Sequence, residues 1–436
     1  MSFPGDIFAG QRYAVVGLGR NGLPAAQALV AMGADVTVWD DAPATRAAAG
    51  DLRVCEPAVS ALDAMILSPG IAHRLPAPHA MAAAAIAAGV PILSDADLLY
   101  RAVRAAGSKA RFAGVTGTNG KSTTTALLAH ILANAGVPVA AGGNLGAASL
   151  SLPLLPNDGV YVLEMSSYML ERIAALRFDV ATMLNLSPDH LDRHGDMAGY
   201  AQAKQAIFAR QTAGDVAVIG TDDAPSRGIA RWLRGQPGRV VEIAAASAIP
   251  GLERAIALPG AHNGQNAAAA AAMAAALGVP EAVIADGIAS FPGLPHRQQA
   301  VGVVDGVTFI DDSKATNADS AARALACHEH VVWIAGGIAK AGGIAALSPY
   351  LPRIGHALLI GRDAGMLAKT LQAAGVSHEV SATLDVAVPV AFARAQRDGI
   401  STVLLSPACA SFDQYRGFEA RGEHFASLVA QLRNAG

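Results

Sequence analysis

Only three cysteines, Cys55, Cys327 and Cys409, occur in the 436 residues, and they are far apart. Their scarcity excludes a disulfide framework and a Cys-x-x-Cys metal site. Charged residues make up just 15% of the chain against 52% hydrophobic, which excludes disorder as the main state. There is no basic surplus: the formal net charge is −3, so nucleic acid is not an expected partner. The opening MSFPGDIFAG carries Asp6 and lacks the basic cluster of a secretory leader. Gly, Pro or charge interrupts the alanine-rich stretches before about 18 apolar residues accumulate, so no membrane insertion is expected. A cytoplasmic, multi-domain globular protein remains, with two to four domains at about 100–200 residues each.

Short β-rich runs alternate with Ala/Leu-rich helical stretches, the pattern of parallel sheets covered by helices. The first unit has expected strands at 13–16, 35–39, 64–67 and 90–93, with a helix at 21–32. A second begins near residue 110, with strands at 112–115, 160–163, 180–186 and 216–219 and a helix at 121–135. A third begins near residue 295, with strands at 307–310, 331–335, 357–360 and 402–405. Each unit reads as doubly wound, so the expected fold class is α/β: a Rossmann-like N-terminal domain (1–98), a central P-loop-type ATPase domain (99–293) and a Rossmann-like C-terminal domain (294–436). Ligands of such sheets bind beyond the carboxyl ends of the strands, where the polar motifs fall.

The strongest motif is GVTGTNGKST, residues 114–123, between an expected strand and helix. Glycines let backbone N–H groups wrap an anion at a helix start. In this reading Gly117, Thr118, Asn119, Gly120, Lys121, Ser122 and Thr123 form the phosphate loop. Lys121 reaches the β/γ-phosphates and Ser122 ligates Mg²⁺. The strict spacing asks for glycine where Val115 stands, so the loop is a variant; an ordinary turn is the alternative. Glu164 ends the strand 160–163 and suits either a magnesium carboxylate or a solvated strand end. In NLSPDHLDRH, His190 stands between Asp189 and Asp192 as a metal ligand or a satisfied loop histidine. Lys204, in YAQAKQAIFAR, reads by itself as a solvated helix lysine. GLGRNG (17–22) follows the first strand and Asp40 ends the second, a phosphate fingerprint that leaves NAD open. The third unit holds GLPHR, DDSKATN, GGIAK and SPACASFDQYRGF, in which Cys409 reads as a small buried residue.

Together these motifs resemble, in order and over the whole chain, the Mur ligases, ATP-dependent amide-forming enzymes of peptidoglycan precursor synthesis. DSKATN and SPACASFDQYRGFEARG are most similar to the D-glutamate-adding branch. The resemblance implies an ADP-forming ligase that joins D-glutamate to UDP-N-acetylmuramoyl-L-alanine. The three domains would bind the UDP-sugar, ATP with Mg²⁺, and the amino acid. It implies that Leu18, Arg20, Asn21, Asp40, Asp41, Ser68, Gly70, Asn144, Ser166 and His190 serve the UDP-substrate. Asn263 and Asn266 would lie near adenine, Asp312 at the ribose and Arg297 at the phosphates. Two Mg²⁺ sites would use Ser122 and Glu164, and His190 with Lys204. Lys121, Glu164, His190, Lys204 and Lys314 would be catalytic. It implies that Lys204 is carbamylated, because a free ammonium beside Mg²⁺ would be repelled. Thr316, Lys340, Ser411, Phe412 and Phe418 would hold D-glutamate. The third domain would close as a rigid body, hinged near 291–297, to bring Arg297 to ATP; a monomer is expected. Two departures stand out: Met169 replaces a family glutamine in SSYML, and Phe412 a family leucine. Sister ligases, folylpolyglutamate-synthase-like enzymes and an NAD-linked oxidoreductase are the competing readings; the last leaves GTNGKST, Glu164 and DSKATN unexplained.

Overall fold

The computed structural model describes residues 1–144, 146–340 and 342–435. Two compact units divide them: 1–255 with 261–291, and 256–260 with 292–436.

The larger unit carries two parallel sheets. The first comprises β1 (Arg12–Val16), β2 (Asp35–Trp39), β3 (Arg53–Val54), β4 (Ala64–Leu67) and β5 (Ile92–Leu93), in the order β3-β2-β1-β4-β5. The chain switches direction between β1 and β4, so the loops after them flank a crevice. Inward residues Ala14, Val15, Met65 and Ile66 are fully or nearly fully buried, as strands covered on both faces require. The helix Asp95–Ala105 leaves this sheet with its Ser94 cap and packs in the shared core; residue 98 lies within it. The second sheet comprises β6 (Arg111–Thr116), β7 (Val139–Gly143), β8 (Val160–Glu164), β9 (Val180–Met183), β10 (Val216–Gly220) and β11 (Arg239–Ile243). Its order is β11-β10-β9-β6-β8-β7, which sets the loops after β6, β8 and β9 side by side. The expected strand 180–186 stops at Met183, because Leu184–Asn185 turn to pin the phosphate loop.

The smaller unit carries β12 (Gln299–Val304), β13 (Val307–Asp311), β14 (Val331–Gly336), β15 (Ile354–Ile360), β16 (His378–Ala382) and β17 (Thr402–Leu405), ordered β12-β13-β17-β14-β15-β16. It departs from a purely parallel, doubly wound sheet. β12 and β13 form an antiparallel hairpin closed at Asp305 and Gly306, both at positive φ, the backbone a tight primed turn demands. Trp333, Ile334, Leu404 and Leu405 are fully buried at the sheet centre. No helix among the described residues is long and apolar enough to cross a membrane.

Candidate active site

The phosphate loop connects β6 to the helix Lys121–Asn134. Gly117 (φ 146°) and Gly120 (φ 87°) take backbone conformations that only glycine adopts freely. A Cβ on Gly120 would stand 2.1 Å from Asn266 Oδ1, so the loop is also closed to side chains there. Thr118 N–H donates to Asn185 O (2.9 Å) and Asn119 N–H to Asn185 Oδ1 (2.9 Å). Asn185 in turn donates to Gln265 (2.7 Å), and Gln265 to Asp222 (2.6 Å). Asn185 and Gln265 brace the loop; Asn185 opens the NLSPDHLDRH motif, but neither residue is given this role by the sequence. Lys121 Nζ donates to the carbonyls of Gly117 (2.9 Å) and Thr118 (2.8 Å), and Ser122 is buried at the helix start. Thr123 follows, half-buried. Asn263 and Asn266 lie one helical turn apart on the helix Ala261–Ala276, with Asn266 Nδ2 donating to Asn263 Oδ1 (2.9 Å).

Glu164 ends β8 and is buried. Its Oε1 accepts from Asn144 Nδ2 (2.7 Å), while Oε2 is buried with no hydrogen-bond partner. A buried carboxylate oxygen left in that state is costly, and a cation or a proton would satisfy it. Among the described residues no three His, Cys, Asp or Glu side chains form a metal cage. Mg²⁺ needs none, since it usually takes one or two carboxylates plus phosphates and water. Ser122 and Glu164 therefore fit a phosphate-bound Mg²⁺. Leu145, which follows Asn144, lies outside the described residues.

His190 takes a left-handed backbone (φ 52°) at the head of the short helix Leu191–His194. Its ring lies 3.4 Å from the Asp189 carboxylate and 5.1 Å from the Tyr168 ring. Burial lowers its pKa, outweighing Asp189, which favours the neutral imidazole a metal requires. Ser166 caps the helix Ser167–Leu170 by accepting from Met169 N–H (3.3 Å). Met169, expected only to remove a polar contact, is a core residue bordering a small cavity of about 10 Å³ with Ser68 and Arg172.

Lys204 is only 2% exposed, not the solvated helix lysine its own segment suggests. Nζ donates to Gly117 O (2.8 Å) and Thr116 Oγ1 (3.4 Å), and lies 4.8 Å from the centre of the Tyr200 ring. Burial, reinforced by the Lys121 charge, holds its pKa well below the ordinary lysine range.

In the first sheet, an open cleft of about 280 Å³ lies beyond β1, β2 and β4, lined by Gly17, Gly19, Asp40, Asp41, Ser68 and His79. Asp40 accepts from the N–H groups of Leu18 (2.8 Å) and Ala42 (2.9 Å), so it shapes the loop rather than standing free. Asp41 pairs with His79 (2.9 Å), whose hydrogen bond is the main cause of its lowered pKa. Asn21 donates to Gly143 O (3.2 Å), which ties this loop to β7. Arg20 is exposed, and Gly70 sits in the turn after β4.

In the smaller unit, the segments after β13, β14 and β17 lie at one end of the sheet. Ile338 and Ala410 exchange backbone hydrogen bonds (2.8 and 2.9 Å), which sets the loop bearing Lys340 beside Ser411 and Phe412. Gly337 (φ 124°) permits this approach; a Cβ there would meet Ala410 O at 2.2 Å. Lys340 is exposed, Ser411 is buried and Thr316 is half-buried. Phe412 is 72% exposed and is not a core residue. Lys314 Nζ stands 4.0 Å over the Phe418 ring. Asp312 accepts from Ser406 Oγ (2.7 Å) and Gln298 N–H (3.2 Å), while burial pushes its pKa up to about 7. Arg297 adjoins Gln298 in sequence, and its charge opposes part of that rise. Arg421, buried and absent from the expected site, donates to carbonyls of Ser313 (2.9 Å), Cys409 (3.2 Å) and Gly336 (3.4 Å), binding all three loops together. Cys409 is fully buried and its thiol pKa is pushed up to about 12, away from nucleophilic use.

The three sheets, each with glycine-rich loops at its strand ends and one with a phosphate loop, define a nucleotide-dependent enzyme of the α/β class. The Mur ligase middle domain family matches residues 115–255. The UDP-N-acetylmuramoylalanine–D-glutamate ligase of Paramagnetospirillum magneticum is 46% identical over 455 residues, covering 99% of this chain and 98% of its own. That of Caulobacter vibrioides is 45% identical over 468 residues, covering 98% of each. Two solved structures share the fold. The UDP-N-acetylmuramate-alanine ligase of Thermotoga maritima has a TM-score of 0.61 at 19% identity, covering 98% of this chain and 100% of that one. MurF of Acinetobacter baumannii has a TM-score of 0.59 at 17% identity, covering 100% and 93%. The chain belongs to the UDP-N-acetylmuramoylalanine–D-glutamate ligase family of the Mur ligases.

Proposed function

We propose that the protein joins D-glutamate to UDP-N-acetylmuramoyl-L-alanine with hydrolysis of ATP to ADP and phosphate. The observation that carries this is Glu164: a buried carboxylate with an unsatisfied oxygen at a strand end, beside a glycine-shaped phosphate loop. A carboxylate acylates amines poorly. Its oxygen therefore attacks the γ-phosphorus, the bond between that phosphorus and the β,γ-bridging oxygen breaks, and ADP leaves. The D-glutamate nitrogen then attacks the acyl carbon, loses a proton, and phosphate departs from the tetrahedral intermediate.

In this reading the loop 117–123 cradles the phosphates and Lys121 supplies fixed positive charge to them. Asn263 and Asn266 lie toward the adenine. Ser122 and Glu164 would hold Mg²⁺, and His190 a second ion; bound Mg²⁺ neutralises phosphate charge. The UDP moiety uses Leu18, Arg20, Asn21, Asp40, Asp41, Ser68 and Gly70, with Asn144, Ser166 and His190 toward the sugar. The first sheet thus serves as the UDP-substrate domain and the second as the ATP domain. The smaller unit serves as the amino-acid domain, with Thr316, Lys340, Ser411, Phe412 and Phe418 around D-glutamate and Lys314 toward the acyl phosphate. Arg297 and Asp312 retain their assignment to ATP.

Lys204 is assigned as a carbamate. Burial favours its neutral amine, the form that adds CO₂ and releases a proton, and the anionic product would face the Lys121 charge that disfavours the ammonium. The test of the mechanism is isotopic. With ¹⁸O in the substrate carboxylate, the acyl-phosphate path delivers one labelled oxygen into released phosphate. Unlabelled phosphate would reject it.

A further inference from the structure

The turn 68–71 after β4 is held by two arginines that come from the second sheet. Arg172, two residues past the helix Ser167–Leu170, is 3% exposed. It donates to the carbonyls of Leu67 (2.9 Å), Ser68 (3.3 Å) and Ile71, and to His73 Nδ1 (3.3 Å). Arg193, in the helix Leu191–His194, donates to the carbonyls of Gly70 (2.9 Å) and Ile71 (3.2 Å) while lying 4.4 Å over Tyr168. Four of the five carbonyls from 67 to 71 are thereby occupied by guanidinium groups. Burying a cation against neutral acceptors carries a desolvation cost that packing alone does not require. The planar fork reaches several carbonyls at once, as a lysine cannot.

The turn passes this constraint on. Ser68 Oγ donates to Gly17 O (2.7 Å) and Ser68 N–H to Val16 O (2.9 Å). Gly17 lies so close to the turn that a Cβ on it would meet Ile71 Cδ1 at 2.7 Å. A shift of the turn must therefore move the glycine-rich loop 17–22.

We propose that Arg172 and Arg193 are positioning residues: they fix the turn 68–71 and, through Ser68, the loop that receives the nucleoside diphosphate, without contacting it themselves. The affinity of the first sheet for its ligand then depends on the two segments that also carry Ser166 and His190. This rests on the reading of that cleft as the UDP-substrate site.

The experiment compares full-length wild type, Arg172→Lys and Arg193→Ala by calorimetric titration with UDP-N-acetylmuramoyl-L-alanine and, separately, with ADP and Mg²⁺. Melting temperature monitors folding. Each variant is expected to bind the UDP-substrate about tenfold or more weakly, since small misplacements of a binding group are costly, with ADP affinity within about twofold of wild type. Equal weakening toward both ligands, or an unchanged affinity for the UDP-substrate, would overturn the positioning role. If Arg172→Lys does not fold, Arg193→Ala decides alone, because that side chain is only half-buried. Failure of wild type itself to bind the UDP-substrate would instead overturn the reading of the cleft, and this proposal with it.

Discussion

Nζ of Lys204 donates to the carbonyl of Gly117 across 2.8 Å, which places a lysine from a helix 87 residues further on directly against the first glycine of the phosphate loop. A buried, neutral-leaning amine at that point is poorly suited to holding phosphate by its own charge and well suited to becoming a carbamate.

Lys204→Ala is therefore expected to lose activity by about 100-fold, the scale of one preorganised catalytic group, while melting near wild type. Acetate or formate should restore part of the loss by filling the vacated anion position. Wild type stripped of CO₂ should lose activity and regain it with bicarbonate. Full activity in the alanine variant would remove Lys204 from the mechanism.

Glu164→Gln keeps an oxygen for Asn144 and removes a buried charge whose Oε2 has no partner. Its melting temperature without nucleotide should equal or exceed that of wild type. The Mg²⁺ concentration needed for half-maximal activity should rise steeply. An unchanged Mg²⁺ dependence would separate Glu164 from the metal.

Much of this was legible in sequence because inner strands bury both faces and read as apolar runs. The strands missed, β3, β7, β11, β12 and β16, all lie at sheet edges. In four of them the residues are largely exposed or half-exposed, as in His378–Ala382, so no continuous apolar run marks them; β7 (VAAGG) is mostly buried but made of small residues. The β12–β13 hairpin did leave a signal, Asp305-Gly306. The chemistry-bearing residues stood in motifs at strand ends; the supporting roles of their neighbours were not legible, even where, as with Asn185 and Arg421, the residue lies inside such a motif. Asn185, Arg172 and Arg421 act through backbone carbonyls and amides, and Gln265 through the Asn185 and Asp222 side chains, all brought together only by the fold. Lys204 is the instructive case: by its own segment it reads as a solvated helix lysine, and only tertiary packing buries it.

The smaller unit offers a pH test. His296 Nδ1 lies 2.7 Å from Asp311, which is fully buried, and that hydrogen bond raises the histidine pKa above its usual 6.5. A pKa raised on folding means stability present below the unfolded value and lost as pH rises through the folded one. Wild-type stability should therefore fall as pH rises above about 6.5, by an increment that His296→Asn lacks. Asparagine tolerates the left-handed backbone at 296 (φ 61°). Parallel stability curves for the two proteins over that range would contradict the pairing.

Lys340 and Phe412 separate binding from folding. Both are exposed, so Lys340→Ala and Phe412→Ala should change stability by no more than about 0.5 kcal/mol. If Lys340 pairs with a glutamate carboxylate, its loss should cost about 2 kcal/mol, raising KM for D-glutamate about 30-fold. KM for the UDP-substrate should be much less affected. Equal increases for all substrates would take Lys340 out of the pocket.

The central claim is the reaction itself. Its most direct test is ATP-dependent phosphate release by the full-length protein with Mg²⁺ and UDP-N-acetylmuramoyl-L-alanine, across a panel of amino acids that includes both glutamate enantiomers. The account predicts one phosphate per amide formed, with D-glutamate the preferred acceptor and L-glutamate far behind. No phosphate release with D-glutamate, or equal release with unrelated amino acids, would contradict it.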